Sequence, residues 1–276
     1  MSHPLSFRSW QVVREIASGH YASIWRGRSS VGGEEAVLKI TNVGKFRDRV
    51  NLWKSALQVD SEALLLRRCL HPCILPYRES FLEADIFILV CEYYAGGDLC
   101  AHVLRYGPLE SEVACSIGAY VCRGLLYLDQ EQIAHRDIKP DNILLSGSDV
   151  LHAVAVIADF GFAKVCPSSL ACTTFLGTPG YMAPEIFLTR SRQRCGYGRS
   201  VDVWALGVLL YVVLSSTTPF SSSDPFACVT SCFIPFDDEV WCTISSSFQR
   251  IIGGLMVPDV SLRLEYRAVL SFLAEG

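Results

Sequence analysis

Three short polar segments limit what this chain can fold into more than its composition does. His135-Arg136-Asp137-Ile138-Lys139-Pro140-Asp141-Asn142 comes first, Asp159-Phe160-Gly161 begins seventeen residues after Asn142, and Ala183-Pro184-Glu185 follows. Any one of them alone could be a solvated loop; three in fixed order and register point to chemistry carried on loops of one scaffold. Around them the hydrophobic pattern changes along the chain. Up to about Tyr93 it reads as short strands with one helix: Trp10 to Ile16 and Ser23 to Arg28 flank a turn-like stretch, and Ala36 to Ile40 and Phe87 to Tyr93 are compact apolar runs. Asp60 to Leu70 has leucine at helical spacing, with Ser61 before Glu62 as its start. The run Tyr93 to Leu99 (YYAGGDL) has the flexible glycines of a connector. Beyond it Glu110 to Leu128 is a helix candidate, while Pro219 to Arg263 is irregular and leaves its helices unplaced.

A chain of 276 residues, half of them hydrophobic, can bury a large core and is not a disordered segment. Its formal charge of −4 and the absence of a Lys/Arg block exclude a dedicated nucleic-acid binder. Val203 to Leu214 falls short of the roughly 20 apolar residues a membrane span needs, so a buried helix is expected there and no membrane. Twelve cysteines would suggest a disulfide framework in a short secreted chain. This chain is long and opens MSHPLSFRSW without an apolar signal core, so reduced thiols and an intracellular, cytoplasmic location are expected. Cys69-Leu-His-Pro-Cys73 lacks the second pair of a zinc site and reads as packing.

The three segments resemble the catalytic loop, magnesium motif and activation-segment anchor of the eukaryotic protein kinase family. The resemblance implies a two-lobed α+β protein kinase fold over residues 10–273, with a β-rich lobe to about 93, a hinge at 92–98 and a helical lobe after it. ATP and Mg²⁺ are the implied cofactors, bound in the cleft. Phosphoryl transfer passes through a loose transition state, so it needs held phosphates, neutralising metal and an oriented hydroxyl more than covalent help. By resemblance Asp137 accepts the hydroxyl proton, Lys139 stabilises the γ-phosphate, and Asn142 and Asp159 supply oxygen ligands to the metal. Ala36-Val37-Leu38-Lys39 resembles the strand whose lysine holds the α- and β-phosphates, and Glu62, nine residues before His71, the helix glutamate that pairs with it. Ile16, Ile24, Ala36, Leu144 and Ala158 would sandwich adenine, with Cys91 as gatekeeper, backbone groups of Glu92 and Tyr94 facing the ring and Asp98 on the ribose.

The phosphate-covering loop is where the chain departs from the family. It reads Ile16-Ala17-Ser18-Gly19-His20-Tyr21-Ala22-Ser23-Ile24 and keeps only the middle of three glycines. Alanine adds a methyl and disfavours positive φ, so a stiffer or higher loop is expected. Lys139 is shared by serine/threonine kinases where tyrosine kinases differ, and Phe162 goes in this family with serine rather than threonine as acceptor. Thr174, aligned on Gly177-Thr178-Pro179, is the expected regulatory phosphosite with Arg136 as its clamp, and Thr178 the expected support of Asp137 and Lys139. Asp202 to Gly207 resembles the helix that organises the larger lobe, and Arg263 the partner of Glu185. Tyr94 to Leu99 and Ala158 to Ala163 resemble unc-51-like kinases, Ser200 to Leu210 the calcium/calmodulin-dependent group, and the hinge NIMA-related kinases. The expected function is a serine/threonine-protein kinase acting on protein substrates, with an upstream activating kinase as partner. A pseudokinase scaffold with weak or no catalysis is the alternative, and it rests on the depleted glycine loop.

Overall fold

β-Branched and aromatic residues crowd the apolar runs of the first ninety residues, and these runs pair as a sheet. A computed structural model of the chain describes residues 6–19, 22–43, 61–190, 196–220 and 233–275. The chain divides into two units, Met1–Tyr94 and Ala95–Gly276. In the first unit the strands are β1 (Ser6–Phe7), β2 (Trp10–Ser18), β3 (Ala22–Ser29), β4 (Glu35–Asn42), β5 (Tyr77–Glu83) and β6 (Ile86–Glu92). They form one antiparallel sheet in the order β1-β2-β3-β4-β6-β5. Central β4 sends Ala36 and Leu38 into a core with Phe7, Trp10, Phe81, Ile88 and Val90. Gly27 makes room for this core, because a Cβ there would lie 1.9 Å from Leu38 Cδ1.

Edge strand β5 carries no apolar run, and its charges are used laterally instead. Arg78 forks onto Glu92 at 2.9 to 3.1 Å and reaches Glu34 at 3.0 Å, while Glu79 accepts from Trp10 Nε1 at 2.7 Å. The helix α1, residues 61–68, buries Glu62, Ala63, Leu65 and Leu66 as one stripe. The part of the expected helix at Asp60, like His20 and Tyr21 of the phosphate-covering loop, lies outside the described residues.

The second unit is mostly helical. Its elements are β7 (Gly97–Asp98), α2 (Leu99–Tyr106), α3 (Ser111–Gln130), β8 (Ile133–Ala134), β9 (Ile143–Leu145), β10 (Ala155–Ile157), β11 (Lys164–Val165), α4 (Pro184–Arg190), α5 (Ser200–Ser215), α6 (Glu239–Thr243), α7 (Ser246–Leu255) and α8 (Tyr266–Glu275). The glycine-rich connector ends in order rather than flexibility: Gly97 and Asp98 pair with β9, and Asp98 Oδ1 accepts Ala101 N at 2.7 Å to cap α2. Two helices, α6 and α7, also stand in the stretch whose pattern is irregular; Ser245 caps α7 through Phe248 N.

At the centre α5 is apolar on every face, with thirteen of its sixteen residues buried. Gly118 lets α3 close on it, since a Cβ there would meet Leu210 Cδ2 at 2.8 Å, and Gly207 does the same for Leu255 and Met256. Glu185 in the first turn of α4 meets Arg263 through two 2.7 Å bonds, with both side chains 2% exposed. The rest of the guanidinium donates to the carbonyls of Val257 and Ser200. Removing one member leaves the other charge buried alone. Arg263→Met should therefore destabilise the chain to urea by about 3–5 kcal/mol, and Glu185→Gln combined with Arg263→Met by less than the sum of the single changes. Additive costs would mean that the two groups act separately.

Candidate active site

The polar loops are built upward from one buried carboxylate. Asp202, in the first turn of α5, accepts His135 N on Oδ2 at 2.7 Å and Arg136 N on Oδ1 at 2.8 Å. Burial pushes its pKa up, while His135 and the hydrogen bonds from both backbone N–H groups pull the other way. With the peptide so held, Arg136 takes the left-handed backbone, φ 69°, that turns the next residue toward the site.

That next residue, Asp137, has a carboxylate 6% exposed and partnered on both oxygens. Oδ1 accepts from Thr178 Oγ1 at 2.7 Å and Thr178 N at 3.1 Å; Oδ2 accepts from Asn142 Nδ2 at 3.0 Å and lies 3.2 Å from Lys139 Nζ. Lys139 Nζ also donates to Thr178 Oγ1 at 2.8 Å, so the hydroxyl accepts from the lysine and donates to the aspartate. Thr178 stands next to Gly177, whose φ of 124° and 2.9 Å approach of a built Cβ to Arg136 O require glycine.

Asn142 closes a 3₁₀ turn over Pro140–Asn142, and its carbonyl accepts Ala158 N at 2.8 Å, which brings Asp159 beside it. His135 ties the two loops from below: Nε2 pairs with Ala158 O at 3.0 Å and the ring stands edge-on to Phe160 at 5.0 Å. Asp159 is exposed, again left-handed at φ 58°, and its Oδ1 accepts Gly161 N at 3.4 Å. Arg136 reaches the other way. Its Nε donates to Phe162 O at 2.6 Å and its Nη1 to Thr174 Oγ1 at 3.1 Å, while Tyr197 OH donates to Thr174 O at 2.8 Å. Leu144 lies on β9 and Ala158 just after β10.

In the first unit Lys39 on β4 donates to both oxygens of Glu62 on α1, at 2.8 and 3.0 Å. Cys91 on β6 is buried, and burial, with Glu62 adding to it, pushes its thiol up to about 12. Ile16, Ala17 and Ser18 end β2, and Ala22, Ser23 and Ile24 open β3. Gly19 N donates to Ala22 O at 2.9 Å, and a Cβ on Gly19 would lie 3.3 Å from that oxygen, a close contact that the retained glycine avoids. Ala36 is fully buried on β4; Glu92 ends β6 with its N–H donating to Pro76 O at 3.0 Å; Tyr94 closes the unit.

Sequence reasoning did not single out His135 or Tyr197 as parts of the site, and it gave Asp202 only to its helix. The signal for Asp202 was available: a lone carboxylate in a helix otherwise apolar all round needs a buried partner.

Residues 10–272 match the family described as Protein kinase domain. The chain is 30% identical over 261 residues to Myosin light chain kinase A of Dictyostelium discoideum, covering 92% of this chain and 84% of that protein. It is 31% identical over 229 residues to Calcium/calmodulin-dependent protein kinase type 1 of Macrobrachium nipponense, covering 82% of this chain and 64% of that one. It is 29% identical over 265 residues to Meiosis-specific serine/threonine-protein kinase mek1 of Schizosaccharomyces pombe, covering 94% of this chain and 57% of that one. The chain thus spans less than two thirds of the latter two. With the match running over nearly its whole length, and with the ordered loops it contains, this chain belongs to the protein kinase domain family.

Proposed function

We propose that the chain is an active serine/threonine kinase that moves the γ-phosphate of ATP to serine, rather than threonine, of protein substrates. The observation that carries this reading is the Asp137 carboxylate, fixed by Thr178, Asn142 and Lys139 within 3.2 Å. A carboxylate so oriented can align an incoming hydroxyl and take its proton, while Lys139, already beside it, offers positive charge to the transferring phosphoryl group. The relatives named as serine/threonine or calcium/calmodulin-dependent kinases support the same class.

The residues fit a magnesium ion. Asn142 uses its amide nitrogen on Asp137, which leaves its amide oxygen as the donor for a cation, and Asp159 adds a charged, exposed carboxylate next to it. Mg²⁺ held there would neutralise the charge of the nucleotide phosphates. On the other unit Lys39, oriented by Glu62, would hold the α- and β-phosphates. Residues 16–24 would cover the phosphates, and Ala36, Cys91, Glu92, Tyr94, Asp98, Leu144 and Ala158 would receive the nucleoside. Among the described residues no helix is long and apolar enough to cross a membrane.

Transfer from γ-labelled ATP to a mixed serine and threonine peptide library tests the reading. Wild type should label serine peptides, and Asp137→Asn should lower the rate by about 10²–10⁴-fold with thermal unfolding unchanged. No transfer by wild type would make the chain a scaffold. Thr178→Val removes the hydroxyl shared by Asp137 and Lys139, and kcat should fall by roughly 10–100-fold, as expected for a lost hydrogen bond to a charge. Thr178→Ser should restore most of it; equal rates for the two variants would deny the hydroxyl its role.

Regulation follows from Arg136. A phosphate on Thr174 would place its oxygens at a guanidinium already 3.1 Å from the threonine hydroxyl, and so hold the segment in place. The phosphorylated chain should be several-fold more active than Thr174→Ala, and equal activities would remove the site from regulation.

A further inference from the structure

Two thiols of the segment between Asp159 and Glu185 face each other. Cys166 and Cys172 are both fully buried, and their Sγ atoms lie 3.3 Å apart. Neither backbone is free to turn away. Cys166 N donates to Gln132 O at 2.6 Å and its carbonyl accepts from Arg199, whereas Cys172 exchanges two N–H···O bonds with Tyr197 at 3.0 and 2.8 Å. Gly196 and Gly198 let this stretch lie close, since a Cβ on either would come within 2.8 Å of the backbone of Ser169 or Leu170. A disulfide needs its sulfurs about 2.05 Å apart, a closure of about 1.3 Å that side-chain rotation can supply. A cavity of about 620 Å³, lined by Pro167, Ser168, Ser169, Gly198 and Arg199, borders the segment next to Cys166, whose sulfur is buried behind it.

We propose that Cys166 and Cys172 are a modification site, closed reversibly to a disulfide by hydroperoxide, which fastens residues 166–172 against Tyr197 and keeps Thr174 beside Arg136. One sulfur, as thiolate, attacks a peroxide oxygen; the O–O bond breaks, leaving a sulfenic acid and hydroxide, which takes up the proton that the thiol gave up. The second sulfur loses its proton and displaces the sulfenic oxygen as water, so two thiols and hydrogen peroxide give one disulfide and two waters. Burial, with Cys172 adding to it, pushes the Cys166 thiol up to about 12, so Cys166 rests protonated and slow to react. The tie to Thr174 is direct: Tyr197, bridged to Cys172 through its backbone, donates its hydroxyl to Thr174 O at 2.8 Å.

The consequence for Thr174 rests on the proposed function, but the bridge does not, and it is read without activity. The full chain is treated with hydrogen peroxide, free thiols are alkylated under denaturing conditions, and tryptic peptides are weighed; no Lys or Arg separates Cys166 from Cys172, so both fall on one peptide. The expected result is that peptide unalkylated and lighter by two hydrogens, restored by dithiothreitol. The bridge should be absent in Cys172→Ser and unchanged in Cys242→Ser, whose cysteine is exposed. Amide exchange over residues 173–178 should slow by roughly tenfold in the bridged chain, as a closed short loop implies. Full alkylation of both thiols, a bridge from either to another cysteine, or unchanged exchange would overturn the proposal. If Cys172→Ser does not fold, mapping of the wild-type chain decides alone. A chain that forms the bridge but transfers no phosphate in its reduced form would count against the kinase reading and leave this one standing.

Discussion

Asp202 carries a carboxylate into a helix with no polar face, and the second unit is arranged around answering it. Its oxygens take the backbone N–H groups of His135 and Arg136, so the loop that carries Asp137 hangs from the interior rather than lying on the surface. An unanswered carboxylate at that depth costs several kcal/mol, whereas two short N–H bonds recover most of it and fix direction as well. Position at the site therefore descends from the core. The buried acid sets the peptide, the peptide sets φ at Arg136, and φ sets where Asp137 and the Arg136 guanidinium point.

From that loop two side chains reach into the segment that follows Asp159. Asp137 is joined to Thr178, and Arg136 to Thr174 and Phe162 O, so the loop of residues 135–142 is tied to the segment through side chains and backbone alike. The close approach of Gly177 to Arg136 O adds a steric condition to the electrostatic one. Displacing the segment would cost Asp137 the hydroxyl and the N–H on one of its oxygens, which leaves Lys139 and Asn142 to hold it.

Much of this was legible in the residues, because the site's chemistry sits in short polar runs whose order survives any reading of the fold. Membership in the kinase family could be read from three triplets, and the β-rich then helical order from the change of period near Tyr93. Edge strand β5 was not legible. Its residues 77–83 face a neighbour on one side only and satisfy themselves with Arg78, Glu79 and Glu92 contacts, so no apolar alternation marks it. Asp98, expected at the ribose, shows a second limit: its Oδ1 accepts Ala101 N and caps α2, a use that the glycine-rich run around it does not mark. The contact of Cys166 with Cys172 was also hidden, since it depends on Tyr197 and the glycines beside it, more than twenty residues on.

The all-round burial of α5 has a consequence for how the chain comes to be made. A helix with thirteen buried residues out of sixteen has no face that water tolerates, and part of its cover, Ile252 to Met256 against Gly207, lies later in the chain. At about 5–20 residues per second, synthesis from residue 215 to residue 275 takes roughly 3–12 s. Over that interval α5 is complete while the part of its cover that residues 252–256 supply is still being made. The order in which apolar surface is made and then covered is thus a property of this central helix before it is a property of the cell.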